Sequence, residues 1–328
     1  MLLRILKTNQ AYNLILFPVI GILLWSASLI SPQDYPFFEG EDQMVLFSPL
    51  FNLVHSTPFI QVCLALAVII FIGFFIQRFN SQFGFIRKRT LLPSSYFIIF
   101  IGGITGLHAL HPVYFSAIFL MLALHRSFST FEKKNIHSNS FDSSLFIGLG
   151  SLFYLNTIFF YPAIILVLIS INREFSWRGL ALSFFGVILP WIFVFSLSYF
   201  FNTSDKLMGI LSSNIISGNN HIKGNITLQI FLGYQALLVL IASLNIIKFY
   251  DTKKISSRKY FVSFFWIFVF SLLSILIVPT SSSEVLVLMA LPITFLVSNY
   301  LVYLKSRLWG EVLFAIFIGL AVYMQFAG

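Results

Sequence analysis

Long apolar runs, separated by short polar stretches, extend through the whole chain. A helix needs about 20 mostly apolar residues to cross a bilayer, so these runs predict about eleven spanning helices. The runs place the helices at 11–30, 58–77, 94–110, 112–125, 144–158, 160–172, 179–201, 227–247, 260–279, 285–304 and 308–326. We therefore expect an all-α, polytopic transmembrane bundle that forms a single integral membrane domain, residues 1–328.

Composition strengthens this prediction. The chain is 58% hydrophobic and only 9% charged, whereas a soluble domain carries roughly 25% charged residues. The net charge of +9 is spread over short loops between the apolar runs and forms no basic soluble face. We therefore expect membrane lipid as the surrounding partner and no nucleic acid.

Lysine and arginine positions predict sidedness. With the N-terminus in the cytoplasm, Lys206 and Lys223 are the exceptions among the 20 Lys and Arg residues, and the others fall on the cytoplasmic side. This bias is the one expected for a bacterial inner-membrane protein. A single tilted helix over 144–172 would move the later basic loops outside. We therefore predict two crossings there, a periplasmic C-terminus, and long outer loops at about 31–57 and 202–226.

The first outer loop concentrates acidic residues. The stretch "SPQDYPFFEGEDQMVLFSPLF" carries four of the eleven acidic residues, namely Asp34, Glu39, Glu41 and Asp42. The apolar but broken segment "MVLFSPLFNLVHSTP" that ends it predicts a short helix lying along the outer surface. A carboxylate held near lipid has a raised pKa, which suits a general base. A solvated loop between two helices is the simpler interpretation.

This order of elements resembles the plan of the GT-C-type glycosyltransferases that use polyprenyl-phosphate donors. The segment "HPVYFSAIFLMLALHRSF" resembles their fourth helix, and "SSLFIGLGSLFYLNTIFFYPAIILVLIS" resembles their glycine-containing helix with its short partner. The resemblance implies a transferase that acts on a lipid-linked sugar at the outer leaflet. It also implies that one of the four acidic-loop carboxylates is the catalytic base.

A polyprenyl-phosphate donor also needs groups that bind its phosphate. The candidates on the predicted outer face are His108, His111, Lys206, Lys223, Ser281 and Ser282. No arginine is predicted on that face, which departs from what the donor would need. The serines have an alternative role, because Ser281 and Glu284 show the spacing of a helix capping box.

The chain also resembles a family of Phe- and Leu-rich inner-membrane proteins of unknown function from Bacteroidota. The segments "FLMLALHRSF" and "GLGSLFY" carry this resemblance. It implies the same topology and no activity, although a beta-carotene monooxygenase label has been attached to some members. A non-catalytic subunit of a cell-envelope assembly, with a membrane-protein partner, is therefore a second hypothesis.

An iron oxygenase is the third hypothesis. It needs about four imidazoles on one metal, and "HALH" places His108 and His111 on one face if that segment is helical. His55 and His221 would have to join them from the outer loops. We expect no metal and no cofactor.

Overall fold

The computed structural model describes residues 2–8, 12–133, 136–172, 175–216, 225–279 and 283–327. Within these ranges the chain forms fifteen α-helices and no β-strand. The helices are α1 Leu2–Leu6, α2 Asn13–Leu24, α3 Ser26–Ile30, α4 Ser48–Val54, α5 Pro58–Phe83, α6 Leu92–Gly102, α7 Pro112–Phe128, α8 His137–Phe153, α9 Tyr161–Ile171, α10 Trp177–Phe200, α11 Ser204–Ile216, α12 Ile226–Lys248, α13 Ile255–Ile277, α14 Val285–Tyr303 and α15 Arg307–Ala327. The all-α prediction is confirmed.

Each predicted segment contains a helix, but the helices differ in length. Among the described residues, six helices are long and apolar enough to cross a membrane: α5, α10, α12, α13, α14 and α15. The others are shorter, so the number of crossings stays a prediction. The short α4 lies where the sequence predicts a helix after the acidic loop.

The two central helices are α6 and α14, which pack against each other. Every residue of α6 is buried, and so is the apolar stretch of α14. At 1.5 Å per residue the eleven residues of α6 reach about 16 Å, roughly half of a bilayer core. A short helix is tolerated there because irregular backbone is stable at membrane depth when protein surrounds it.

The segment 144–172 forms two helices and not one continuous helix. Helix α8 ends at Phe153, a 3-10 turn covers Leu155–Phe160, and α9 follows at once. Pro162 lies in the first turn of α9, where its missing N–H leaves no hydrogen bond broken. The break therefore follows from the sequence.

Contacts between chain segments divide the bundle into two ends. The acidic loop meets the start of α14 through Tyr35 and Glu284, and the start of α13 meets the end of α9 through Lys259 and Ile171. We call these the acidic-loop end and the basic end. Segments predicted to be outer meet at the first end and segments predicted to be inner meet at the second, which is the arrangement that alternating crossings require. Which end is periplasmic stays a prediction.

Glycines bring α8 and α10 into close contact. A Cβ atom on Gly186 would lie 2.5 Å from the carbonyl oxygen of Phe141, and one on Gly148 would lie 2.5 Å from that of Val187. Small residues at such positions let the backbones of membrane helices approach each other. No larger side chain fits between these two helices without moving them apart.

We expect Gly186→Val to destabilise the protein by about 1–3 kcal/mol, the usual effect of overpacking a well-packed interface. The measurement is the free energy of unfolding in detergent. Gly233→Val is the matched control, because a Cβ on this α12 glycine has no heavy atom within 4 Å. Equal stability of the two variants would contradict the proposed close packing of α8 and α10.

Candidate functional site

A buried carboxylate stands at the start of α14. Glu284 is 0% exposed, and its Oε2 and Oε1 atoms accept hydrogen bonds from the hydroxyls of Tyr35 at 3.3 Å and Tyr154 at 3.1 Å. Asn156 Nδ2 donates to the Tyr154 hydroxyl at 3.0 Å. Glu284 thus connects the acidic loop to the break that follows α8.

A second buried carboxylate faces a histidine. Glu41 is 1% exposed, and its Oε2 accepts a hydrogen bond from the Phe38 N–H at 3.1 Å. The same oxygen lies 3.4 Å from His111 Nε2. His111 Nδ1 accepts from the Val113 N–H at 3.2 Å, so Nε2 carries the hydrogen that faces Glu41. Glu41 Oε1 is buried and has no hydrogen-bond partner within the described residues.

Tyr35 connects Glu284 to the pair formed by His111 and Glu41. Its ring packs edge-on against His111, with ring centroids 4.6 Å apart, while its hydroxyl donates to Glu284. Burial raises the pKa of the Tyr35 hydroxyl well above its ordinary value of 10.0, and the charges of Glu284 and Glu41 raise it further. Tyr35 therefore remains a hydrogen-bond donor. We call Tyr35, Glu41, His111, Tyr154 and Glu284 the carboxylate network.

An accessible cavity of about 440 Å³ adjoins this network. Tyr35, Asp34 and His108 line it, and Asp34 Oδ1 accepts a hydrogen bond from Gln61 Nε2 at 3.2 Å. No lysine or arginine of the described chain lines this Asp34 cavity. Its other polar lining residues are Ser28, Ser31, Gln33, Thr105 and Asn225.

His108 has both ring nitrogens in use. Its Nε2 lies 3.1 Å from the Gly102 carbonyl, which only accepts, so Nε2 is protonated and Nδ1 accepts from Ser28 Oγ at 2.8 Å. The ring stacks on Trp25 at 4.3 Å. Burial lowers the pKa of His108 to about 4. The imidazole is therefore neutral near pH 7 and brings no positive charge toward a phosphate.

The other predicted site residues are dispersed. Glu39 is exposed and lines a separate, open cavity of about 500 Å³ against α11, while Asp42 is half-buried. Lys206 is exposed on α11. Lys223, Ser281 and Ser282 lie outside the described residues. Of the four acidic-loop carboxylates, the structure places Asp34 at an accessible cavity and Glu41 in the interior.

The two histidines of "HALH" do not share a helix face. His108 follows a 3-10 turn, whereas His111 is the extended residue that caps α7. Within the described residues, no three His, Cys, Asp or Glu side chains lie close enough together to hold a metal ion. His221, the most distant member of the hypothetical iron site, lies outside the described residues.

Sequence reasoning missed Glu284, Tyr35 and Tyr154 as partners. It interpreted Glu284 as part of a capping box with Ser281, which lies outside the described residues, and it did not foresee the hydrogen bonds to Tyr35 and Tyr154. The available signal was a carboxylate directly before the long apolar run that begins α14. An ionisable residue within an apolar region usually pairs with another polar group, so a partner for Glu284 could have been sought in the sequence.

A comparison with models of protein families assigns the chain to one family. A model of a family of unknown function (DUF6427) matches residues 43–327. The chain belongs to this family. The matched region of this DUF6427 member includes His111, Tyr154 and Glu284. Membership confirms the expectation of a family without an assigned activity, while the GT-C resemblance stays a prediction. No curated protein and no solved structure is significantly similar to the chain.

Removing the Glu284 carboxylate should destabilise this DUF6427 member. Glu284→Ala takes the acceptor from two tyrosine hydroxyls, and each buried hydroxyl left without its acceptor costs about 1–3 kcal/mol. We expect a loss of roughly 2–6 kcal/mol in the free energy of unfolding. Glu39→Ala, at an exposed carboxylate of the acidic loop, is the control and should change it by less than about 0.5 kcal/mol. Similar stability of both variants would refute the network's structural role.

His108 should make stability sensitive to acid. Its pKa is about 4 in the folded protein and its ordinary value is 6.5, so the unfolded chain takes up the proton first. The stability contributed by neutral His108 is complete above pH 6.5 and is lost as the pH falls toward 4. We expect Tm between pH 7.5 and 4.5 to fall more steeply in the natural protein than in His108→Gln. His55→Gln, at an exposed histidine, should behave like the natural protein; parallel curves for all three would contradict the burial effect.

Proposed function

We propose that the protein is a membrane-embedded, GT-C-like transferase that acts on a lipid-linked sugar at the outer leaflet. Asp34 is its general base in this proposal. The observation that supports it is the Asp34 cavity, which combines one accessible carboxylate with several hydroxyl and amide groups.

The lining of the cavity matches the chemistry of a sugar. Hydroxyl and amide side chains both donate and accept hydrogen bonds, as sugar hydroxyls do. The volume of about 440 Å³ lies in the usual range of small-molecule sites. Because no described lysine or arginine lines the cavity, it suits the sugar better than the phosphate of the carrier. For that phosphate, Lys206, Lys223, Ser281 and Ser282 stay the candidates.

Asp34 is placed to act as a base. Gln61, which is 1% exposed, donates to Oδ1 and orients the carboxylate, so Oδ2 can face a ligand. In the proposed reaction Asp34 takes the proton of an acceptor hydroxyl while that oxygen attacks the anomeric carbon. The bond from the anomeric carbon to the phosphate oxygen breaks, and the polyprenyl phosphate leaves with the electron pair. Proton transfer of this kind contributes about 10²–10⁴-fold to a rate.

The carboxylate network supports Asp34 indirectly. Tyr35 follows Asp34 in the chain, and its ring and hydroxyl are held by His111 and Glu284. This fixes the backbone that carries Asp34 at the edge of the cavity. Glu41, His111 and Glu284 are positioning residues in this proposal.

The second candidate function is a non-catalytic subunit of a cell-envelope assembly. The observation that favours it is the burial of Glu41, His111 and Glu284, each at most 1% exposed. Because these three ionisable groups are buried, they cannot contact a substrate. Their role in this hypothesis is to hold the loops in the conformation that a partner protein recognises at the outer surface. Under this hypothesis Asp34 has no chemical role.

The test is a transfer assay on the purified protein in nanodiscs. The probes are undecaprenyl-phosphate-linked hexoses with a bacterial lipid extract as acceptor, and products are measured by mass spectrometry. We expect turnover by the natural protein, a loss of about 10²–10⁴-fold in Asp34→Asn, and full turnover in the control Glu39→Gln. Unchanged Tm in both variants shows that they fold.

Two results would contradict the transferase. One is equal turnover of Asp34→Asn and Glu39→Gln. The other is no turnover by the natural protein together with a membrane protein that co-purifies with it, and with both variants, in mild detergent. The second result would favour the subunit.

A further inference from the structure

A further cavity, of about 260 Å³, opens at the basic end of the bundle. It lies between the end of α12, the start of α13, the end of α14 and the loop that follows α5. Three cationic residues line it: Arg87, Lys253 and Lys305. No aspartate or glutamate is among its lining residues within the described chain. We call it the basic cavity.

Lys253 extends into this cavity and is only half-buried by protein. Its Nζ donates to Asn299 Oδ1 at 3.2 Å and lies 5.0 Å and 5.4 Å from the ring centroids of Phe261 and Tyr303. Burial lowers the pKa of Lys253, and the charge of Arg87 lowers it further. Among the described residues that line the cavity, no carboxylate offsets the positive charge of this ammonium group.

The neighbouring carboxylate does not supply that charge. Asp251 pairs with Arg258, with Oδ1 3.3 Å from Nη1. Arg87, Lys253 and Lys305 make no ion pair with any described carboxylate. Three cations around one small cavity repel each other, and an anion between them removes the repulsion.

We propose that the basic cavity binds the phosphate of an anionic phospholipid headgroup from the leaflet at this end. Arginine and lysine form strong charge-assisted hydrogen bonds with phosphate oxygens. Ser257, in the first turn of the 23-residue α13, adds a hydroxyl and the positive end of a helix dipole. Basic pockets between membrane helices are suited to anionic lipid headgroups.

An apolar groove beside the cavity indicates a lipid and not a free phosphate compound. The groove has a volume of about 200 Å³ and is lined mainly by α12 and α13 side chains, including Ile246, Phe261 and Phe265. Phe261 belongs to the groove and also packs under Lys253. A headgroup in the cavity can therefore place an acyl chain along the groove, which a soluble phosphate would leave empty.

Native mass spectrometry in a zwitterionic detergent tests this. The probes are dioleoyl phosphatidylglycerol and dioleoyl phosphatidylcholine, titrated separately, and a further titration adds 10 mM inorganic phosphate. We expect phosphatidylglycerol to bind at least tenfold more tightly than phosphatidylcholine. Arg87→Gln and Lys305→Gln, both at exposed residues, should each weaken its binding about fivefold. Lys254→Gln, at an exposed lysine outside the cavity, should change it by less than about twofold.

Three results would overturn the proposal. Equal binding of the two lipids would exclude recognition of a negative headgroup. Equal weakening by Lys254→Gln and Lys305→Gln would show that general surface charge attracts the lipid. Displacement of phosphatidylglycerol by 10 mM phosphate would assign the cavity to a soluble phosphate compound. Unchanged Tm of the variants confirms that they are folded when these results are compared.

Discussion

The hydrogen bonds that Glu284 accepts from Tyr35 and Tyr154 hold the acidic-loop end together. A carboxylate buried in an apolar interior is stable only when its oxygens receive donors. Glu284 obtains these donors from the loop after α3 and from the break after α8. Three segments that are far apart in the chain are therefore fixed to one another by a single side chain.

The positions of the other polar groups follow from this connection. With Tyr35 fixed, its ring contacts His111, and His111 in turn faces Glu41. The same placement of Tyr35 leaves its neighbour Asp34 at the accessible cavity. The burial of Glu41 and Glu284 and the exposure of Asp34 are thus consequences of the way this loop folds. The proposed chemistry uses Asp34, and the buried carboxylates Glu41 and Glu284 give it a defined position.

Much of the helical architecture is predictable from the sequence because lipid forces backbone groups to pair within helices. Hydropathy cannot distinguish a helix that faces lipid from one that faces protein. The predicted span 94–110 accordingly overestimates α6, which ends at Gly102 and is followed by an irregular turn inside the bundle. The start of α9 coincides with Pro162, because the effect of proline on a helix is local.

The candidate site was only partly predictable, because it depends on contacts between residues that are far apart in the sequence. The sequence identifies the acidic loop as unusual, but it does not divide the four carboxylates into buried and exposed ones. That division depends on Tyr35 meeting Glu284, which is 249 residues away. Glu284 matches a local capping pattern in sequence, and that pattern carries no information about its hydrogen bonds to tyrosines from two distant segments.

The central claim is that the acidic loop inserts Glu41 into the protein while Asp34 faces the outer aqueous phase. Cysteine labelling with a membrane-impermeant maleimide tests it directly, because Cys63 is the single native cysteine and Cys63→Ser removes it. In that background we predict that Asp34→Cys is labelled on intact cells, that Glu41→Cys is labelled only after denaturation, and that Lys254→Cys is labelled only after permeabilisation. Labelling of Lys254→Cys but not of Asp34→Cys on intact cells, or rapid labelling of Glu41→Cys in the folded protein, would contradict the account.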